Sequence, residues 1–217
     1  MAFIVSSIVP FPNIAWWLQA SGADKVLFDG AEHFEKMSYR NKYFIAGSNG
    51  SIQLSIPLES GREQRTPMND VMIYNKERWQ TRHWRTLVCV YKRSPYFDHY
   101  EYELQPLFEQ PYTSLTAFNM ATIHWLKKQL RLQFEEAFTE NYVRHYDDAT
   151  ADLRSIKPGI ERSPLQIPEP YYQMFADRSG FVPNLSMLGL LCTEGPHAMQ
   201  WLKDNRSMLE SWMAKKG

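Results

Sequence analysis

The sequence predicts an α/β domain with a small, mostly parallel sheet, an appended β-hairpin and a helical C-terminal half. Three observations lead there. The first is strand, helix and strand at the N-terminus. The second is an alternating apolar stretch behind a Gly-rich joint. The third is a run of helix-period segments from Lys76 onward.

The first strand is FIVSSIV, Phe3 to Val9, short, β-branched and bounded by Pro10 and Pro12. Pro12 and Asn13 then form a start signal for a helix from Ile14 to Ser21. KVLF, Lys25 to Phe28, is a second strand that stops at Asp29-Gly30. Two strands joined through a helix read as a βαβ unit, which requires parallel strands. Farther on, Ile52, Leu54, Ile56 and Leu58 alternate with Gln53, Ser55 and Pro57, the period of a half-buried strand. Tyr43–Ile45 is its partner, and Ala46 to Gly50 supplies the turn. Ser60 to Asn69 reads as an exposed loop, and Val71 to Tyr74 as a short strand.

From Lys76 the period changes. Trp79, Arg82, His83, Thr86, Leu87 and Val90 share one helical face, and Ser94-Pro95 ends it. Helices are expected at Tyr100–Gln110 and Ser114–Leu132, and again from Leu185 to Trp212 with a break near Gly195-Pro196. Asp147 to Pro170 carries Pro158, Pro164, Pro168 and Pro170 among charges and reads as a long, weakly packed loop. No repeat or low-complexity tract divides the chain, so its 217 residues read as one domain, 1–217.

Lys plus Arg and Asp plus Glu are 24 each, a balance that leaves no global footprint for nucleic acid. No window approaches the roughly 20 apolar residues of a membrane span. The apolar N-terminus lacks a basic flank and is broken by Pro10, Pro12 and Asn13, so a cytoplasmic protein is expected. Cys89 and Cys192 lie in apolar stretches without ligand spacing and read as buried free thiols.

No GxGxxG, Walker A, GxSxG, HExxH or CxxC occurs, and the sequence assigns no cofactor and no metal. The chemistry-bearing residues concentrate instead in EHFEKMSYRN, from Glu32 to Asn41, just past the end of the second strand. In an open α/β sheet, ligands bind outside the carboxyl ends of the strands. Asp29 and Glu32 are therefore candidates for proton transfer or amine binding, with Arg40 and Asn41 as clamps for a planar anion or amide and Lys36 as a further substrate-binding residue. The competing reading is a solvated loop capped by local Asp and Asn bonds. His83 sits beside Trp79 and Leu87 on a helical face. It is either a core histidine or a partner for those carboxylates. Asn184 and Ser186 precede an apolar helix and serve as N-caps or as part of an anion site. His99, His124 and His145 have no ligand spacing. Trp16-Trp17 and Tyr171-Tyr172 are candidates for stacking, against a core role for at least one ring of each pair.

Three segments carry a family resemblance. They are EHFEKMSYRN, then WQTRHWRTLVCVYKRSPYFDHY, then FVPNLSMLGLL followed by Gly195-Pro196. Together, in this order and spacing, they resemble the WbqC-like protein family in its Bacteroidetes-type branch. The most specific piece is Glu32, Lys36, Tyr39, Arg40 and Asn41, which adds Tyr39 to the substrate-binding candidates. The resemblance implies a role in surface-polysaccharide (O-antigen-type) biosynthesis, by acyl or aminoacyl transfer to an amino sugar or nucleotide sugar. The implied partners are a nucleotide sugar or an activated acyl donor. The alternative is a non-catalytic module that binds a sugar nucleotide or a protein of the assembly system. The chain departs from many relatives at Ser7, Ile8 and Ala15, where they open with Gln-Pro and a later Gly. It departs again at Gly189, where they often carry an acid.

Overall fold

The computed structural model describes residues 3–59, 65–147, 150–158 and 170–214. The N-terminal unit is β1 (Phe3–Ser7), α1 (Ile14–Ala20) and β2 (Lys25–Asp29), with β1 and β2 parallel and in register from Phe3↔Lys25 to Ser7↔Asp29. Asn13 caps α1 by accepting from the Trp16 amide at 2.9 Å, the start that Pro12-Asn13 announces. The hairpin follows as β3 (Lys42–Gly47) and β4 (Gly50–Ser55), antiparallel and separate from the main sheet. Gly50 sits at φ 104, a conformation that favours glycine, and lets a two-residue turn close at Ser48-Asn49. In place of a strand at 71–74 there are single bridges, Leu58↔Ile73 and Met72↔Ser114. Of the expected loop 60–69, residues 60–64 lie outside the described residues, while Met68 is fully buried in a short 3-10 turn.

The helices are α2 (Trp79–Tyr91), α3 (Phe97–Leu104), α4 (Leu115–Gln129), α5 (Ala176–Ser179), α6 (Met187–Glu194) and α7 (Ala198–Ala214). Ser114 caps α4 by accepting from the Ala117 amide. The α2 face is as its spacing predicts, with Trp79, His83, Leu87, Val90 and Tyr91 buried. Cys192 is a buried free thiol, but Cys89 is exposed, because position 89 falls off that face. The break before α7 is real: Gly195 takes φ 53 and Pro196 cannot continue the α6 ladder. Trp16 and Trp17 are both core residues, in edge contact at 4.7 Å, and Tyr171 is buried while Tyr172 is exposed. Each such buried ring contributes on the order of 2–3 kcal/mol of apolar burial.

Two more strands complete the sheet. They are β5 (Glu135–Phe138), parallel to β2, and β6 (Thr150–Asp152), parallel to β1, giving the order β5-β2-β1-β6. β6 corrects part of the expectation for Asp147 to Pro170. Thr150 to Asp152 pairs with Phe3 to Val5, and Arg154 is buried, because the open edge of β1 still needed a hydrogen-bonding partner. Residues 148–149 and 159–169 of that stretch lie outside the described residues.

Candidate functional site

In order of entry into the sheet, the strands stand third, second, first, fourth. The chain leaves β1 toward one side and returns, as β6, on the other. The carboxyl ends of β1 and β6 therefore flank a topological switch point, where α/β sheets open a crevice. A small cleft of about 20 Å³ lies there, lined by Ser6, Ser7, Asn13, Trp16, Tyr39, Arg40, Leu153 and Ile156. That volume admits about one water-sized group. Part of its rim is the turn after β1, where Phe11 holds φ 40, a costly value for an aromatic residue. Packing enforces it. The Phe11 ring lies 4.9 Å from Tyr43 and 5.8 Å from Phe108, and its amide donates to Thr122 Oγ1 at 2.8 Å.

Arg40 lines this cleft, and each of its guanidinium nitrogens faces a carboxylate, Nη1 lying 3.5 Å from Glu35 Oε2. Nε donates to Glu32 Oε1 at 2.9 Å and Nη2 to Glu32 Oε2, and both side chains are about 95 % buried. The Arg40 backbone is fixed as well. Asn119 Nδ2 donates to the Arg40 carbonyl and to the Ile8 carbonyl, each at 2.8 Å. Burial raises the Glu32 pKa above the usual carboxylate value, against the pull of Arg40 and the nearby Ser7 hydroxyl. Ser7 Oγ is itself buried and finds no partner of hydrogen-bond geometry among the described residues. Ser7 lines the cleft, and its buried hydroxyl lies close to Glu32.

Asp29 is fully buried and fully engaged. It accepts from the Ala31 and Glu32 amides at 3.1 and 3.0 Å, from the Thr139 hydroxyl at 2.8 Å and from Arg154 Nη1 at 2.7 Å. It shapes the loop that carries Glu32 and does not line the cleft. Arg154, which the sequence did not point to, is the hub here. It pairs with Asp152 and donates to the carbonyls of Val143 and Arg144. Its guanidinium also lies 5.3 and 5.1 Å from the Tyr142 and Tyr146 ring centres.

The remaining sequence candidates do not all converge. Lys36 and Asn41 line a separate, broader concavity of about 500 Å³ with Lys42 and Glu77, and Asn41 Nδ2 donates to the Ile56 carbonyl. Tyr39 borders the cleft and also a second hollow of about 190 Å³, shared with Phe44, Val182, Pro183, Asn184 and Leu185. Asn184 takes φ 54, which asparagine tolerates, and its Oδ1 accepts from the Ala15 amide at 3.0 Å. Ser186 caps α6 through Leu188 and pairs its amide with the Phe44 carbonyl, so the capping reading accounts for it. His83 corrects an expectation. It meets neither Asp29 nor Glu32; Nδ1 lies 3.2 Å from the Tyr43 hydroxyl and Nε2 3.2 Å from the Ser55 carbonyl. Its helix face packs on the hairpin, and burial lowers its pKa to about 4.

No group of three or more His, Cys, Asp or Glu among the described residues is arranged to hold a metal, and no described helix is long and apolar enough to cross a membrane. A parallel sheet with a crevice at its switch point is the place where open α/β sheets bind ligands. Residues 10–157 match the WbqC-like protein family, and the chain belongs to that family. No curated protein and no solved structure matches it.

Proposed function

We propose that this protein is a transferase of surface-polysaccharide (O-antigen-type) assembly, moving an acyl or aminoacyl group from an activated donor to an amino sugar or nucleotide sugar. One observation carries this reading: Ser7 and Arg40 both line the crevice at the switch point, and the Glu32 carboxylate, its pKa raised by burial, is paired with Arg40 and lies close to Ser7. In the transfer, the sugar amine attacks the acyl carbonyl carbon. A C–N bond forms, and the leaving group departs with the electron pair of its broken bond. In this reading Arg40 turns from its carboxylate partners to stabilise the oxyanion that develops on the carbonyl. The proton released by the amine reaches Glu32 through Ser7, and a raised pKa suits a carboxylate to that role nearer neutral pH.

A mass-spectrometric assay tests this. The protein is given an amino sugar or its nucleotide-linked form together with a panel of activated acyl and aminoacyl donors. Product is expected with one donor class. Arg40→Lys, which keeps the charge but loses the planar fork, is expected to lower its rate at least tenfold.

The second reading is a non-catalytic binding module, and one placement favours it: none of Asp29, Glu32 and His83 lines the cleft. It predicts stabilisation by sugar nucleotides, about 2.7 kcal/mol at one hundred times Kd, without product from any donor.

A further inference from the structure

The concavity of about 500 Å³ at the open end of the hairpin takes no part in the cleft chemistry, and its volume falls in the range of small-molecule sites, about 300–1,000 Å³. Lys42 begins β3 and stands opposite Ser55 in the register. Asn41 clips the strand ends together: its carbonyl accepts from the Ile56 amide, and its Nδ2 donates to the Ile56 carbonyl. Phe34, Ile56 and Leu58 give the concavity apolar surface, and the exposed Glu77–Arg82 ion pair at the start of α2 borders it. Lys42 stands apart from these. Burial lowers its pKa below the ordinary lysine value, and no carboxylate or hydrogen bond among the described residues offsets that. A partly desolvated ammonium without a counter-charge is costly, and an anion set against it removes the cost. Arg82, by contrast, already has Glu77, and a further cation, Lys36, borders the same space. Met37, also at this border, is 77 % exposed and held at φ 60, a value that costs a non-glycine residue energy.

We infer that this concavity binds a small phosphate ester, a phosphorylated sugar or a nucleoside monophosphate, with the phosphate against Lys42 and the organic body on the Phe34–Ile56–Leu58 surface. Phosphate fits better than carboxylate. It carries about −1.5 to −2 charge at pH 7 and three strong acceptor oxygens, so it can answer Lys42 and still meet Lys36 and Arg82. The size agrees: a dry cavity of about 150 Å³ takes one benzene, and at that ratio this space holds roughly twenty heavy atoms, the size of a nucleoside monophosphate. The site is independent of the cleft chemistry and holds whether the protein transfers a group or only binds one.

The test is calorimetric titration of the full chain with inorganic phosphate, glucose 1-phosphate, uridine monophosphate and, as a neutral control, glucose. At least one ester is expected to bind about tenfold tighter than inorganic phosphate, since its body adds apolar contact, and the tighter ester identifies that body as sugar or nucleoside. Glucose is expected not to bind. Lys42→Met keeps the stem and loses the charge, and is expected to weaken the ester about tenfold. The same change removes an uncompensated charge, so the unfolding temperature without ligand is expected to hold or rise, which separates lost binding from lost folding. Glu77→Gln removes the one opposing carboxylate and is expected to tighten binding about threefold. Lys203→Met takes the same charge from an exposed position of α7 outside the concavity, and is expected to change affinity less than about twofold. The site is overturned by no saturable binding of either ester at millimolar concentration, by glucose binding as well as its phosphate, or by a Lys42→Met loss no larger than that of Lys203→Met. Equal affinities for inorganic phosphate and both esters overturn the organic body. Ester binding without product in the donor assay keeps this site and sinks the transferase, whereas product without ester binding does the reverse.

Discussion

Arg154 Nη1 lies 2.7 Å from Asp29 Oδ2, although 125 positions separate the two residues in the chain. The contact joins the ends of β2 and β6 across the carboxyl edge of the sheet, and through Arg154 it draws in the loop of Tyr142 and Tyr146. The Asp29 side chain is fully buried and that of Arg154 is 8 % exposed, so solvent does little to screen the pair.

Removing one partner of such a pair leaves the other charge buried and uncompensated, which costs about 3–5 kcal/mol. Arg154→Met is expected to destabilise by an amount in that range in urea unfolding. In a double-mutant cycle, adding Asp29→Asn is expected to cost less than the sum of the single changes. Additive costs would mean that the pair contributes no coupling.

What could be read from the sequence follows the range of the interactions. β1, α1 and β2 were legible because their signals are local: β-branched runs, a Pro-Asn start and Asp-Gly at the end. β5 and β6 were not. Glu135 to Phe138 reads as charged, and Thr150 to Asp152 is three residues long. Both are edge strands, and short or charged edges are how sheets resist further pairing, so the features that protect them also erase the strand signal. The site divides in the same way. Glu32 and Arg40 stood out as charges within an aromatic run, and the structure joins them. Ser7 stood out only as a departure from the family pattern, and Arg154 gave no sign, since its placement depends on partners far away in the chain. For His83 the helical spacing fixes burial but not which element it faces, so the sequence leaves the core and carboxylate-partner readings open and the structure takes the first.

His83 carries a pH signature. Its folded pKa is lowered to about 4, against an ordinary value near 6.5. Between those values the unfolded chain binds a proton that the folded chain does not. Stability is therefore lost as pH falls from about 6.5 toward 4, and the contribution levels off below that. The slope approaches about 1.4 kcal/mol per pH unit. His83→Gln is expected to lose stability at pH 7 and to show a shallower decline between pH 6.5 and 4.5 in parallel denaturant titrations. Equal slopes in the two proteins would show that His83 titrates normally in the fold.

Gly189 illustrates a departure with a spatial reason. A Cβ placed there would lie 3.3 Å from the Tyr91 hydroxyl and 3.5 Å from the Tyr171 hydroxyl, in the buried face of α6. Alanine in a helix interior is favoured over glycine by about 0.5–1 kcal/mol, and the close contact with Tyr91 opposes it. Gly189→Ala is therefore expected to change stability by less than about 1 kcal/mol. A loss above about 3 kcal/mol in thermal unfolding would mean that Tyr91 cannot yield the few tenths of an ångström required.

Asn119 is where fold and candidate site are hardest to separate, and its replacement distinguishes them. The residue is fully buried on α4, and its one Nδ2 group serves two carbonyls, Ile8 after β1 and Arg40 beside the cleft. Those two backbone segments have no other amide tether from this helix, apart from the Phe11 amide bound to Thr122 one turn along. Asn119→Leu removes both donors and leaves two buried acceptors unpaired, a cost of about 1–3 kcal/mol each before relaxation. Asn119→Asp keeps the shape but exchanges the donor for a carboxylate facing two carbonyl oxygens, and is expected to be worse at neutral pH. Protonation restores a donor, so the Asp variant is expected to recover part of its stability as pH falls, opposite in sign to the His83 effect. The decisive measurement compares the two variants with the parent protein in unfolding titrations at pH 7.5 and 5, alongside sugar-nucleotide binding. If Arg40 is the clamp, both variants weaken binding by more than the thermal shift alone accounts for, because the guanidinium is no longer aimed. Unchanged affinities in a destabilised protein would assign Asn119 to the fold alone.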